Sequence, residues 1–506
     1  SGFRGDSLVN PWDFVLMLEG AILFAASVVR RARATSLPQA AAPFAVRGSA
    51  AGYGSAAGVD VSARGEQWFP LWNQPTSAAE LEAVIAEGRS QIGDRAAGRT
   101  LDFGRSIARF GVARGITAFE RYGFIERNGE ANLAVPLGRW TVRVQPHQDL
   151  LDQVADWADR LRRAGAGSNA PASITRAARV CDEAMLACCR DGLSAMRWQD
   201  LLMALGAAEA QLPRSPRYAA EKQLRPLPRL GAGWIAAAND DSAEFRLALA
   251  FATQCAHIED GRVIDPIRRH FLPLDPKVPQ RFHVGADGLV TGPETACTAP
   301  DPATAALALI RRRIVEAGQR STALLPLTGV PGAEARLDDI SLVLAGAIDE
   351  ARCFALARPL MALDSRSGSI RGLPKSKRDG RSGQLALYGI FRLTHLPAPL
   401  SLNPTAPPVE IRLDPSIFAR LATGDMAGAF RTAFRRLAAT GLRPHVRSAV
   451  GTPNLARRLA LSLAFPIPNR TAVRLAKRLT RSMLDESVQL TTAVESSFAT
   501  QETITT

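Results

Sequence analysis

Apolar residues recur at helical spacing along most of the chain, and the first run is Phe14, Leu18, Ile22 and Val29. Asn10-Pro11 in front of it supplies a cap and a first-turn proline. A helix is expected there, with the four apolar residues inward and Arg30, Arg31 and Arg33 at its end. A strand-like run, Phe44 to Arg47, then opens into a loop carrying Gly48, Gly52, Gly54, Gly58 and Tyr53, which closes on an aromatic cluster of Trp68, Phe69 and Trp72. Ser77 to Ile85 reads as a helix, and a further helix is expected over Asp102 to Tyr122. Within Gly123 to Arg143, Asn128-Gly129 between two apolar runs is a strong hairpin signal. The region to about Gln145 therefore reads as mixed α and β.

Helical periodicity dominates from Asp149 to about Asp364. One stripe is Leu151, Val154, Trp157 and Leu161; another is Ile174, Ala178, Cys181, Met185 and Cys188. Asp301-Pro302 opens a helix expected to end at Arg311 to Arg313, and Asp338 or Asp339 is expected to cap a long helix through Ala357. Gly261 to Val290 reads as strands and turns. Ser365 to Gly383 has no periodicity and concentrates Gly, Ser, Lys and Arg, including Lys375, Lys377 and Arg378, as a basic linker does.

Beyond the linker, a strand pair is expected from Leu385 to Leu393 and Val409 to Leu413. Asp414-Pro415 then opens a helix, and the next one places Ala427, Phe430, Phe434 and Leu437 inward with Arg431, Arg435 and Arg436 outward. Thr452-Pro453 starts another. The last helix begins near Asn469 and carries Arg470, Arg474, Lys477, Arg478 and Arg481 on one side, with Leu475, Leu479 and Met483 opposite. The expected fold is α+β and predominantly helical, divided at residues 1–145, 146–364, 365–383 and 384–506. The last part is a basic helical bundle.

Charge sharpens this division. The 506 residues carry a net charge of +14, yet Arg366 to Arg481 alone holds 21 Lys and Arg against four acids, and the remainder holds 41 bases and 44 acids. A solvated helix face accounts for any one of these arginines. Several adjacent basic helices with few balancing acids point instead to a polyanion partner, because like charges four residues apart repel. The most apolar window, Phe14 to Val29, contains Glu19 and is shorter than the roughly 20 residues that span a bilayer. No membrane partner is expected. The six cysteines lack zinc-knuckle spacing, so a reducing, cytoplasmic setting without metal or other cofactor is expected. The start at Ser1 without Met suggests further sequence upstream.

Catalytic signatures are wanting. There is no GxxxxGK[ST], HExxH or GxSxG string, and the six histidines are dispersed. Gly52-x-Gly54-x-x-Ala57 matches a dinucleotide fingerprint weakly and is followed by Val59-Asp60-Val61, which reads as extended chain rather than helix. A non-enzymatic protein is expected. Its candidate nucleic-acid contacts are the linker cations Lys375, Lys377 and Arg378, the helical arginines Arg431, Arg435 and Arg436, and the last-helix stripe Arg470 to Arg481. The glycine loop adds Arg47, Tyr53 and Arg64.

Three strings occur in an order typical of one family: GFRGDSLVNPWDFVLMLEGAILFAAS (Gly2 to Ser27), PFAVRGSAAGYGSA (Pro43 to Ala56) and ERYGFIERNGEANLAVPLGR (Glu120 to Arg139). The chain there resembles the large subunit of the type I-G CRISPR surveillance complex, formerly type I-U. Past Asp149 the likeness is one of helical, Arg-rich character. The resemblance implies a non-catalytic subunit partnered by guide RNA, target double-stranded DNA and its displaced strand, other Cascade subunits and a helicase-nuclease. In it, guide pairing reads sequence, while protein contacts read backbone, shape and the adjacent motif. The alternative is an assembly protein whose basic domain neutralises an acidic protein partner.

Overall fold

The computed structural model describes residues 10–32, 44–46, 63–87, 91–92, 95–96, 99–112, 115–127, 131–364 and 383–482. It is a predominantly helical α+β chain forming two compact units, Ser1–Ala204 and Leu205–Thr506.

The first unit opens with α1 (Pro11–Ala32), capped as expected by Asn10, whose Oδ1 accepts from the Trp12 N–H at 3.0 Å. Its apolar residues are not inward: Phe14, Leu18 and Ile22 are 53%, 51% and 70% exposed. Periodicity marks a face but not what covers it. β1 (Ala45–Val46) and β2 (Ala63–Trp72) follow, then α2 (Ala78–Glu87), where Ser77 and Glu80 bond each other's backbone N–H in a capping box. A small ladder, β3 (Gln91–Ile92) with β4 (Arg95–Ala96), leads to α3 (Thr100–Phe110).

The helix expected through Tyr122 stops at Gly111, whose φ of 69° is costly for other residues. The chain continues as β5 (Ile116–Arg127) and β6 (Ala131–Thr141), the expected hairpin, whose Asn128-Gly129 turn lies outside the described residues. The sheet order is β1-β2-β5-β6, antiparallel throughout.

That sheet redistributes the aromatic residues. Trp68 is fully buried and packs on Phe103 (4.8 Å), Trp140 (5.3 Å) and Phe119 (5.8 Å), while Phe69, on the other sheet face, meets Tyr122 at 5.7 Å. Adjacent strand residues point to opposite faces, so Trp68 and Phe69 cannot share one cluster. Arg121, opposite Trp68 in register, lies over its indole at 4.7 Å and bridges buried Glu66 at 3.0 Å. Phe103 brings α3 against the sheet, and α3 in turn packs on α4 (Gln148–Gly165) and α5 (Ala172–Arg190), after which α6 (Ala195–Gln211) begins. Both expected apolar stripes, from Leu151 to Leu161 and from Ile174 to Cys188, are buried.

The second unit begins with the rest of α6. It continues through α7 (Pro216–Glu221), α8 (Gly233–Ala238), α9 (Ala243–Ala252), the ladder β7 (Cys255–Glu259) with β8 (Arg262–Pro266), and the ladder β9 (Val284–Gly285) with β10 (Gly288–Leu289). These ladders fall in or beside the stretch read as strands and turns. In α10 (Pro302–Gln319), Asp301 accepts from the Thr304 N–H as expected, but the helix runs past Arg313. Arg313 is fully buried, bridging Asp265 at 2.7 Å and Glu316 at 3.0 Å, so this basic run is partly a core ion network.

The long helix expected through Ala357 is two helices, α11 (Leu337–Ala345) and α12 (Glu350–Leu360). Gly346, at φ 70°, ends the first, and Asp349 caps the second. Asp338 and Asp339 lie in the first turn of α11, and Asp339 is bridged to Arg246 at 2.6 Å. Phe251, Phe354 and Phe465 fill the core between α9 and α12.

Candidate nucleic-acid interface

The basic surface is built on the last part of the second unit. It starts with α13 (Gly383–Leu393), where a strand was expected; Leu400 and Val409 retain only an isolated bridge. A short run as apolar as Leu385 to Leu393 fits either period, and tertiary packing decides between them. Tyr388, Phe391 and the flanking His395 are buried. α14 (Pro415–Thr423) and α15 (Met426–Ala438) then start where Asp414 and Asp425 accept from the N–H groups of Ser416 and Gly428. Phe430 and Leu437 are buried in α15 and Phe434 is half-buried, but Ala427 is exposed; Ala429 and Ala433 fill the inner face instead.

The acids of this segment are already engaged. Asp414 is bridged to Arg436 at 2.7 Å, Asp425 to Arg420 at 2.6 Å, and Glu410 to Arg412 at 3.8 Å. Burial alone would raise the Asp414 carboxyl, but the hydrogen bonds from Arg436 and Ser416 outweigh it and hold it below its ordinary value. The Gly428 N–H, followed by Arg420, does the same for Asp425. Arg436 is thus a structural partner rather than an open cation, whereas Arg431 and Arg435 on the same helix are exposed.

Beyond α15 the chain forms β11 (Leu442–Pro444), α16 (Pro453–Ser462), α17 (Asn469–Leu479) and β12 (Thr480–Ser482). Thr452 caps α16 through the Leu455 N–H, and α17 begins at the expected Asn469. Leu475 and Leu479 bury the inner face of α17 against α13, leaving Arg470, Arg474, Lys477 and Arg478 exposed. Arg474 reaches back to Thr471 Oγ1 at 3.5 Å, and the Arg470 charge acts on Glu334.

Arg481 is not on the helix as expected. Thr480 turns extended, and Arg481 lies on β12 opposite Arg443 of β11, with both side chains exposed. Sequence reasoning passed over Arg443 because three residues between Gly441 and His445 offer no periodicity. Among the described residues, Arg431, Arg435, Arg443, Lys477, Arg478 and Arg481 have no carboxylate within salt-bridge distance. α15, β11, β12 and α17 are consecutive neighbours, so these cations share one region of the unit.

The remaining expected contacts fall outside what the structure describes. Arg47, Tyr53, Lys375, Lys377, Arg378 and Met483 lie outside the described residues; Arg64 lies on β2, and its side chain is outside the description. Among the described residues no group of three or more His, Cys, Asp or Glu is placed to hold a metal ion. Cys255 is buried and donates from Sγ to the His257 carbonyl at 3.3 Å, while the His257 ring is exposed. No helix among the described residues is long and apolar enough to cross a membrane. No protein-family model matches the chain, and no curated protein matches it.

Proposed function

We propose that the chain is a non-catalytic large subunit of an RNA-guided CRISPR interference complex of type I-G, acting in the cytoplasm. In this reading it binds target DNA beside the guide RNA, contributes to adjacent-motif recognition and duplex opening, supports the displaced strand, and helps recruit the helicase-nuclease. The strings at Gly2 to Ser27, Pro43 to Ala56 and Glu120 to Arg139 supply the family resemblance. The observation that carries the nucleic-acid role is the unbalanced surface of Arg431, Arg435, Arg443, Lys477, Arg478 and Arg481.

Its chemistry suits backbone phosphates rather than bases. Guanidinium and ammonium groups neutralise phosphates without reading sequence, and specificity is left to guide pairing. The test is nucleic-acid crosslinking with peptide mapping on the chain assembled with guide RNA, partner subunits and matched DNA. Crosslinks to peptides spanning Arg443 and Arg470 to Arg481 are expected. Crosslinks to protein alone would replace this reading with that of an assembly protein holding an acidic partner.

A further inference from the structure

A second positively charged feature of the Leu205–Thr506 unit shares no residue with the basic stripe. A pocket between α6 and α12 is lined by Glu209, Arg268, Phe271, Leu272, Arg358 and Met361, among others. About 260 Å³ of empty space lies within it, open solvent at its mouth included, and its interior has room for about one water-sized group.

The pocket's carboxylate is spoken for. Glu209 Oε1 accepts from Arg268 Nη2 at 2.5 Å and from the Leu227 N–H at 2.6 Å, and Arg268 Nη2 also donates to the Leu227 carbonyl at 3.1 Å. Arg358, on the last turn of α12, is half-buried and makes no hydrogen bond or ion pair among the described residues. Burial, and then the neighbouring Arg214 charge, depress its pKa. The Glu209 charge acts on Arg358 from across the pocket, but that carboxylate is already held by Arg268, so this half-buried guanidinium beside Arg214 is only partly balanced, and its place at the end of α12 recovers only a fraction of that through the helix dipole. Phe271, Leu272 and Met361 make the wall apolar, which strengthens any ion pair formed inside.

We propose that this pocket binds a phosphate-type oxyanion, seated on Arg358 with one oxygen in the enclosed space and the rest at the mouth. The planar guanidinium fork matches two oxygens of such a group. The restricted depth favours free phosphate or a terminal phosphate monoester over a phosphate within a chain. The site is independent of the nucleic-acid reading, since it takes a small anion in a separate pocket.

The test is thermal denaturation of the full chain, as wild type, Arg358→Met and Arg358→Lys, in a series of inorganic phosphate at constant ionic strength. A saturable rise in Tm is expected for the wild type, weakened by about tenfold in apparent affinity for Arg358→Lys and absent for Arg358→Met. Without phosphate, Arg358→Met is expected to be at least as stable as wild type. A parallel arm compares a dinucleotide carrying a 5′-phosphate with its 5′-hydroxyl form, which separates a terminal phosphate from free phosphate as the source. The proposal is overturned if the wild type shows no saturable rise in either arm, or if Arg358→Met responds equally. An Arg358→Met chain that fails to fold also overturns it, because an arginine kept for a ligand is dispensable to folding.

Discussion

Arg443 faces Arg481 directly across the antiparallel pair β11–β12, two exposed cations in register. Like charges in opposed positions destabilise a sheet, and opposite charges contribute roughly 0.2–1 kcal/mol. Arg443→Glu is therefore expected to stabilise the isolated chain by a few tenths of a kcal/mol in urea denaturation. The same substitution should weaken DNA binding. A variant that is less stable, with binding unchanged, would remove the strand pair from the interface.

Reversing Arg474, Lys477 and Arg478 together should weaken DNA binding and flatten its dependence on salt. Each phosphate left without its cation lowers the slope of log K against log salt by about 0.9. Binding measured across a salt series reads this directly; parallel lines for variant and wild type would mean that α17 does not meet the backbone.

Acid should strengthen the packing around α5. Burial pushes the Asp182 carboxyl up from 3.8 to about 6, against the opposing pull of Arg99 and Arg162. A carboxyl whose folded pKa is raised adds stability that is complete below its ordinary value and is lost as pH rises through about 6. Asp182→Asn removes the ionisation, so at pH 7 it is expected to gain stability on the order of 3 kcal/mol and to flatten this pH dependence. Amide hydrogen exchange of α5 peptides between mild acid and neutral pH gives the readout; steeper protection loss in the variant would contradict it.

His395 should produce the opposite trend in the second unit. Burial lowers its pKa from 6.5 to about 4, although the Phe391 carbonyl, 2.9 Å from Nδ1, favours the charged form. Stability from this neutral ring is present above 6.5 and is lost as pH falls through about 4. His395→Leu is expected to lessen acid sensitivity in α13 peptides while costing about 1 kcal/mol at neutral pH for the lost hydrogen bond. Unaltered acid sensitivity would place the cause elsewhere.

Gly389 of α13 lies against Leu479 and Leu475 of α17, and a Cβ there would overlap the Leu479 side chain. Gly389→Ala is expected to cost about 1–3 kcal/mol by overpacking, and Leu479→Ala should recover part of it in the double variant. Additive losses in that cycle would show that the two helices do not meet at this point.

Local chemistry made much of the fold legible. Asn10, Asp301, Asp414 and Thr452 each precede a proline and each caps a helix, because an acceptor side chain followed by a residue without an N–H satisfies the first turn twice over. The Asn128-Gly129 signal found its hairpin. What misled was apolar density without direction. Leu385 to Leu393 fits helix and strand alike, Phe14 to Ile22 has a face left exposed among the described residues, and Gly346 ends a helix through a backbone angle that periodicity does not register.

At the candidate interface, α17 was readable from its spacing and Arg443 was not, since only strand pairing brings it to Arg481. Arg436 shows the converse: it shares the outward pattern of α15, but Asp414, distant in sequence, claims it.

The helix starts at Asp414 and Asp425 have a wider consequence. Their carboxylates serve as caps and as partners for Arg436 and Arg420, so little negative charge is left to answer the surrounding arginines. The described cations of this segment are expected to act as a fixed anion exchanger. At low ionic strength such a surface would condense small anions from solution, and any longer polyanion that displaces them would gain the entropy of their release.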